Sequence, residues 1–251
     1  MANERKPGSA LPAAPSRRQF LGGAAALAGT LIAPGVFLYR AGQAASGLQP
    51  GVRWGMLIDT NALDEADVDA CVEACRREHG WQVEEGSPTD AQWIRKLRLS
   101  DPATGHEKFL PMMCQHCAHP PCVDVCPTGA SFKRADGIVL VDRHICIGCR
   151  YCMMACPYKA RSFVHYPLHD QKPDVPRGQG CVESCTLCVQ RVDRGEQPAC
   201  VEACNATGRQ ALFFGDLNDP QSEISRRMCE AGAKQIRPDL QLDTGVRYQG
   251  I

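Results

Sequence analysis

The sequence predicts an α+β protein whose interior is organised by cysteine, and three observations predict it. Cysteine occurs 16 times in 251 residues, while aromatic residues make up only 6%. Eight cysteines fall into two tandem runs, Cys114-x2-Cys117-x4-Cys122-x3-Cys126-Pro127 and Cys146-x2-Cys149-x2-Cys152-x3-Cys156-Pro157. Around them the chain reads as short strands, a helix and turns rather than as long regular elements.

The second run has the C-x2-C-x2-C-x3-C-P spacing in which three thiolates hold one [4Fe–4S] cube and the fourth ligates its neighbour. Two such runs predict two cubes that exchange their fourth ligands. One would take Cys114, Cys117, Cys122 and Cys156, the other Cys146, Cys149, Cys152 and Cys126. Thiolates so closely spaced can wrap one face of a cube only where the backbone curls tightly. The last cysteine of each run follows a short helical turn and so points away, and Pro127 and Pro157 discourage helix beyond it. Gly129, Gly148, Ala130 and Ala155 are small enough to let the backbone approach the sulfides. Zinc on C-x2-C pairs is the first rival, yet zinc motifs rarely supply four ligands in one such run. Disulfides are the second rival.

The formal net charge is zero. Residues 1–44 hold five basic residues (Arg5, Lys6, Arg17, Arg18, Arg40) and one acidic residue, Glu4, so the remainder carries a net charge of −4. Thiolate-ligated cubes would add further negative charge. No basic face of the kind a nucleic-acid partner requires is indicated.

Along the chain, residues 1–15 are rich in Pro and Ala and read as a disordered leader. Ser16-Arg17-Arg18-Gln19-Phe20-Leu21 then reads as a twin-arginine export signal, followed by the weakly apolar run Gly22–Tyr39. A transmembrane anchor is the alternative, but the Gly and Ala content and the Pro34-Gly35 break favour a signal segment, with cleavage near Ala44 or Ala45. That route carries folded proteins, which suits a cofactor assembled in the reducing cytoplasm. Val52–Ile58 reads as a strand and Glu65–His79 as a helix bearing Cys71 and Cys75. Residues 80–110 read as a loop and hairpin insertion, Ser162–Tyr166 as a strand, Pro167–Gly180 as a surface loop, and Leu212–Asp216 as a closing strand and turn. The tail, 219–251, is expected to wrap an outer surface, and Cys229 to be a buried thiol.

The outer cysteines repeat the logic of the inner ones, but one run is incomplete. Cys185, Cys188 and Cys200 supply three ligands, and Cys75 crosses over to complete that cube. Counting back from Cys71 at the run's spacing lands on Val68 and Glu65, so the opposite site has only Cys71 and Cys204. Two thiolates do not meet the rule of four. Three clusters are expected, with a fourth doubtful. Asp64, Glu65, Asp67 or Asp69 could rescue the fourth, as could Cys181. The preferred alternative makes Cys71 and Cys204 small buried thiols or a disulfide.

The segments MMCQHCAHPPCVDVCPTGA, VDRHICIGCRYCMMACPYKAR, CTLCVQRVDRGEQPACVEAC and FFGDLNDPQSEIS resemble the four-cluster ferredoxin-like subunits of the dimethyl sulfoxide reductase family, over roughly residues 52–240. The resemblance implies two ferredoxin-like [4Fe–4S] domains, one inserted in the other. On it the domains are a signal segment, 1–44; an outer half, 45–110 and 181–218, with the hairpin insertion; an inner two-cluster domain, 111–166; a surface loop, 167–180; and the tail, 219–251. It also implies an electron wire next to an integral membrane quinone-interacting subunit, with a haem-c subunit or a molybdopterin catalytic subunit as a further partner. The leader, the incomplete first run and the ending are most similar to the periplasmic iron–sulfur subunits of membrane complexes linked to dissimilatory sulfite reductase. An intact first run is usual in the family, and this chain departs from it.

No phosphate loop, hydrolase elbow or C-x-x-C-H haem site is present. Electron transfer with no catalytic residue and no substrate site of its own is therefore the expectation, in the periplasm. His116, His119, Arg143, His144, Arg150 and Lys159 flank the runs and are given no role. An exported adaptor stapled by zinc or disulfides is the rival from another class.

Overall fold

The computed structural model describes residues 31–33, 36–37, 51–82, 89–169 and 171–251. The chain divides into two compact units, Met1–Ala45 and Ser46–Ile251. In the first, strands β1 (Leu31–Ala33) and β2 (Val36–Phe37) pair antiparallel. The twin-arginine motif at 16–21 lies outside the described residues, as does most of the run that follows it. Among the described residues no helix is long and apolar enough to cross a membrane.

The second unit begins with β3 (Trp54–Asp59), as the apolar stretch there predicts. Met56 and Ile58 enter the main core, while Leu57 alternates to the other face and packs with Phe213 and Ile224. Helix α1 (Glu65–His79) follows with the expected bounds. Asp64 caps it: its side chain accepts from the Asp67 N–H, and the Asp67 side chain accepts from the Asp64 N–H. Gly80, at φ 66°, ends it by donating to the Arg76 carbonyl at 2.8 Å.

Strands β4 (Ile94–Ser100) and β5 (Glu107–Met113) form the expected hairpin. Then come α2 (Pro121–Asp124), the pair β6 (Ser131–Lys133) and β7 (Val139–Val141), and α3 (Tyr151–Ala155). Strand β8 (Arg161–Phe163) is shorter than the stretch expected, and pairs with β9 (Val182–Ser184), which the sequence pattern does not announce. The chain continues through α4 (Val189–Val192), α5 (Ala199–Ala206), β10 (Leu212–Asp216), α6 (Glu223–Ala231), a 3-10 turn at Pro238–Leu240 and β11 (Val246–Gln249).

Two expectations need correction. The tail does more than wrap a surface: β11 lies parallel to β3 and completes the sheet β10-β3-β11, with Val246 and Tyr248 buried. Its polar composition hides this because only alternate residues of the strand face the core. Cys229 is exposed rather than buried. On α6 it is Ile224 and Met228 that turn toward Leu57 and Phe213, and the next residue along points about 100° away.

Candidate metal centre

The sixteen cysteines all carry free thiols, and fourteen of them are buried or half-buried. The folding that gathers them is local first. Each intact run contains a residue in the left-handed region: His116 at φ 44°, Arg150 at φ 63°, and Leu187 and Cys188 at φ 51° and 49°. These curl the backbone, so that neighbouring thiols turn to one side. A short helix then carries each run to its last cysteine.

Cys114, Cys117, Cys122 and Cys156 form one gathering. Burial pushes Cys114 and Cys117 up to about 12 each, and Cys117 is raised further by Cys114, Cys122 and Cys156. Burial also raises Cys152, which then feels Cys126 and Cys146. Cys126 accepts from the Ser131 N–H at 3.3 Å. Cys149, which opens the turn into α3, stands exposed, with Ile147, Tyr151 and Met154 exposed around it.

The third gathering joins distant parts of the chain. Burial raises Cys185, which is raised again by Cys75, Cys200 and Cys188. Cys75 reaches the site from α1, which packs on α5, the helix that carries Cys200. The Leu187 N–H donates to Cys185 Sγ at 3.4 Å. His79, which no sequence motif singles out, lies with Nε2 3.3 Å from Cys188 Sγ and packs on Trp93 at 4.3 Å between ring centroids. Burial lowers its pKa to about 4, so the ring is neutral and donates to a thiolate when its proton is on Nε2.

Cys71 and Cys204 face each other at 0% exposure. Cys71 donates to the Cys200 carbonyl at 3.6 Å; the neighbouring Cys204 thiol, then burial, raises Cys71, and Cys71 in turn lowers Cys204. No disulfide links them. Of the four carboxylates considered there, Asp67 is buried next to the pair and Asp64 lies within its electrostatic reach, but both are engaged by Arg209. Glu65 and Asp69 instead share Lys96 on the surface. Cys181 is not brought to this pair. It donates to the Arg143 carbonyl at 3.3 Å and lies against Cys146, because Gly180 at φ 75° and β9 turn it that way.

This donor set fits iron–sulfur cubes. Buried thiols that raise one another become thiolates only where bound cations neutralise them. Four sulfurs on one zinc stand about 3.8 Å apart. Among the described residues no group of three or more Cys, His, Asp or Glu could hold a single ion. On a cube each thiolate ligates a different iron, so the sulfurs spread wider.

Thiols gathered from distant stretches of the chain on small sheets and short helices fit a ferredoxin-like iron–sulfur protein. The 4Fe-4S dicluster domain model matches residues 106–216. The Hdr-like menaquinol oxidoreductase iron–sulfur subunit 1 of Archaeoglobus fulgidus is 45% identical over 222 residues, covering 78% of this chain and 82% of that protein. A sulfite dehydrogenase subunit of Allochromatium vinosum is 37% identical over 202 residues, 73% and 77% of the two chains. A tetrathionate reductase subunit of Salmonella typhimurium is 35% identical over 206 residues, 80% and 74%. The chain belongs to the family of [4Fe–4S] ferredoxin-like iron–sulfur subunits of oxidoreductases.

Proposed function

We propose that this chain carries single electrons through three [4Fe–4S] cubes within a membrane-associated oxidoreductase complex. The ligand sets are Cys114, Cys117, Cys122 and Cys156; Cys126, Cys146, Cys149 and Cys152; and Cys75, Cys185, Cys188 and Cys200. Cys71 and Cys204 hold no cube. The observation that carries this reading is Cys75, which leaves its own incomplete run to join the thiols of Cys185, Cys188 and Cys200. Each bound cube supplies one-electron redox chemistry. The chain's own residues hold the thiolates, keep water from most of them, and direct the N–H groups of Ser131 and Leu187 at sulfur.

The inner domain, 111–166, is read as inserted in an outer one, 45–110 and 181–218. The pairing of β3 with β10 across that interval supports it. The twin-arginine motif supports export in the folded state to the periplasm. An integral membrane quinone-interacting subunit is the proposed partner, with a haem-c subunit nearby. The menaquinol oxidoreductase relative supports the quinone link, and the sulfite dehydrogenase relative a place in dissimilatory sulfur metabolism, as in complexes linked to dissimilatory sulfite reductase. Similarity to the tetrathionate reductase protein favours a second reading, the same wire serving a molybdopterin catalytic subunit.

Anaerobic purification with iron and sulfide assays tests the first claim. About twelve irons per chain are expected, and about sixteen would mean that the incomplete site is filled. A colourless protein containing zinc would discard electron transfer altogether. Co-purification then separates the partners: a membrane quinone-interacting subunit alone supports the first reading, and a molybdopterin subunit the second.

A further inference from the structure

Arg161 opens β8, five residues after Cys156, and its side chain turns inward, leaving the residue 6% exposed. Nη2 donates to Ser131 Oγ at 2.8 Å. Ser131 in turn directs its N–H at Cys126 Sγ. Nε and Nη1 have no hydrogen-bond partner, although both are buried. No carboxylate is among the groups that act on it most strongly. Those groups are the thiols of Cys122 and Cys114, from one inner gathering, and Cys152, from the other, which lies against the guanidinium.

A buried guanidinium without a counter-ion is costly, and two unmatched N–H groups add to that cost. The charges that act most strongly on the guanidinium come from sulfur of both inner sites. With cubes bound, the thiolates and the clusters supply the missing negative charge, and the free N–H groups have acceptors. The planar fork is suited to this because it is always charged and presents donors in several directions at once, which an ammonium cannot match.

We propose that Arg161 is a potential-setting residue shared by the two inner cubes. This rests on the reading that the inner cysteines hold two cubes. Reduction adds one negative charge to a cube, so a fixed cation in a water-poor site favours the reduced state and raises the potential. Because the cation stands between the sites, it eases the arrival of an electron on either and keeps both under one field. Ser131 is the positioning residue, holding Nη2 while its own N–H is directed at Cys126 Sγ.

Redox titration followed by electron paramagnetic resonance tests this in the iron-loaded chain, with the outer signal identified by its loss in Cys75→Ser. Arg161→Gln is expected to shift both inner potentials to more negative values and to leave the outer potential in place. Arg161→Lys is expected to shift the same two in the same direction by less, since the charge is kept but reaches one site poorly. If Arg161→Gln does not take up iron, the lysine variant decides. Wild-type inner potentials in either iron-loaded variant would overturn the assignment, as would an equal shift of the outer potential. A wild-type chain with no inner cluster signals would instead overturn the cube reading itself, so the two failures are distinguishable.

Discussion

At the front of each intact run the chain is coil, bent by a residue with positive φ: His116, Arg150, and the pair Leu187 and Cys188. At the corresponding place in the first run the chain is already helical from Glu65 onward, locked by the Asp64–Asp67 capping box. The inner segment therefore offers backbone that can wrap a cube, whereas α1 offers a rod with Val68 and Cys71 at 0% exposure against Cys204. The incomplete run is thus not a simple vacancy. The stretch is helical, and Val68 and Cys71 fill its inner face beside the buried Asp67. Cys75 escapes this because it lies two turns along the rod, facing α5 and the thiols that need it.

The comparison breaks most visibly at Cys75. Cys75→Ser should remove one cube, lowering iron from about twelve toward about eight per chain. Cys71→Ser, one turn away, should leave the iron content unchanged. If Cys75→Ser keeps its full iron, the crosswise assignment of the outer site fails. A somewhat smaller loss is expected at Gly148, between Cys146 and Cys149. It sits at φ 69°, and a Cβ there would stand 2.4 Å from the Gly180 carbonyl oxygen. Gly148→Ala should selectively weaken the site of Cys126, Cys146, Cys149 and Cys152, read as loss of one of the two inner signals.

Much of this is legible in sequence because it is written locally. Cysteine spacing sets which thiols share a turn, and the Asp64 cap with Gly80 sets both ends of α1. What escapes depends on contacts across the chain. Strand β9 forms only because β8 lies against it. Strand β11 has no signal of its own until β3 offers an edge. Counting from Cys185 suggests Cys181 for the outer site, yet the turn at Gly180 delivers it to Cys146. Arg161 reads as one more charge after Cys156, since spacing says nothing of what lies across from a side chain.

Restoring the spacing sharpens the comparison further. Glu65→Cys with Val68→Cys recreates the missing run on paper, but the cap and the helix remain, so no additional iron should be bound. Val68→Cys alone should cost roughly 1 kcal/mol by shrinking a buried side chain, measured by thermal denaturation. Iron rising toward about sixteen would show instead that α1 opens readily and that composition alone emptied the site.

The smallest effect is expected where the two thiols meet. A buried free cysteine behaves as a small apolar residue with a weak donor, so Cys71→Ala or Cys204→Ala should each cost about 1 kcal/mol in denaturant unfolding. Because the two touch, either single substitution already removes their mutual contact, and the double variant should cost less than the two single costs added together. A pair that bound metal would behave differently: either single substitution would release iron, and the double variant would release no more. Unchanged iron with a sub-additive stability cost therefore marks Cys71 and Cys204 as core, leaving the conducting role to the gatherings whose backbone can curl around a cube.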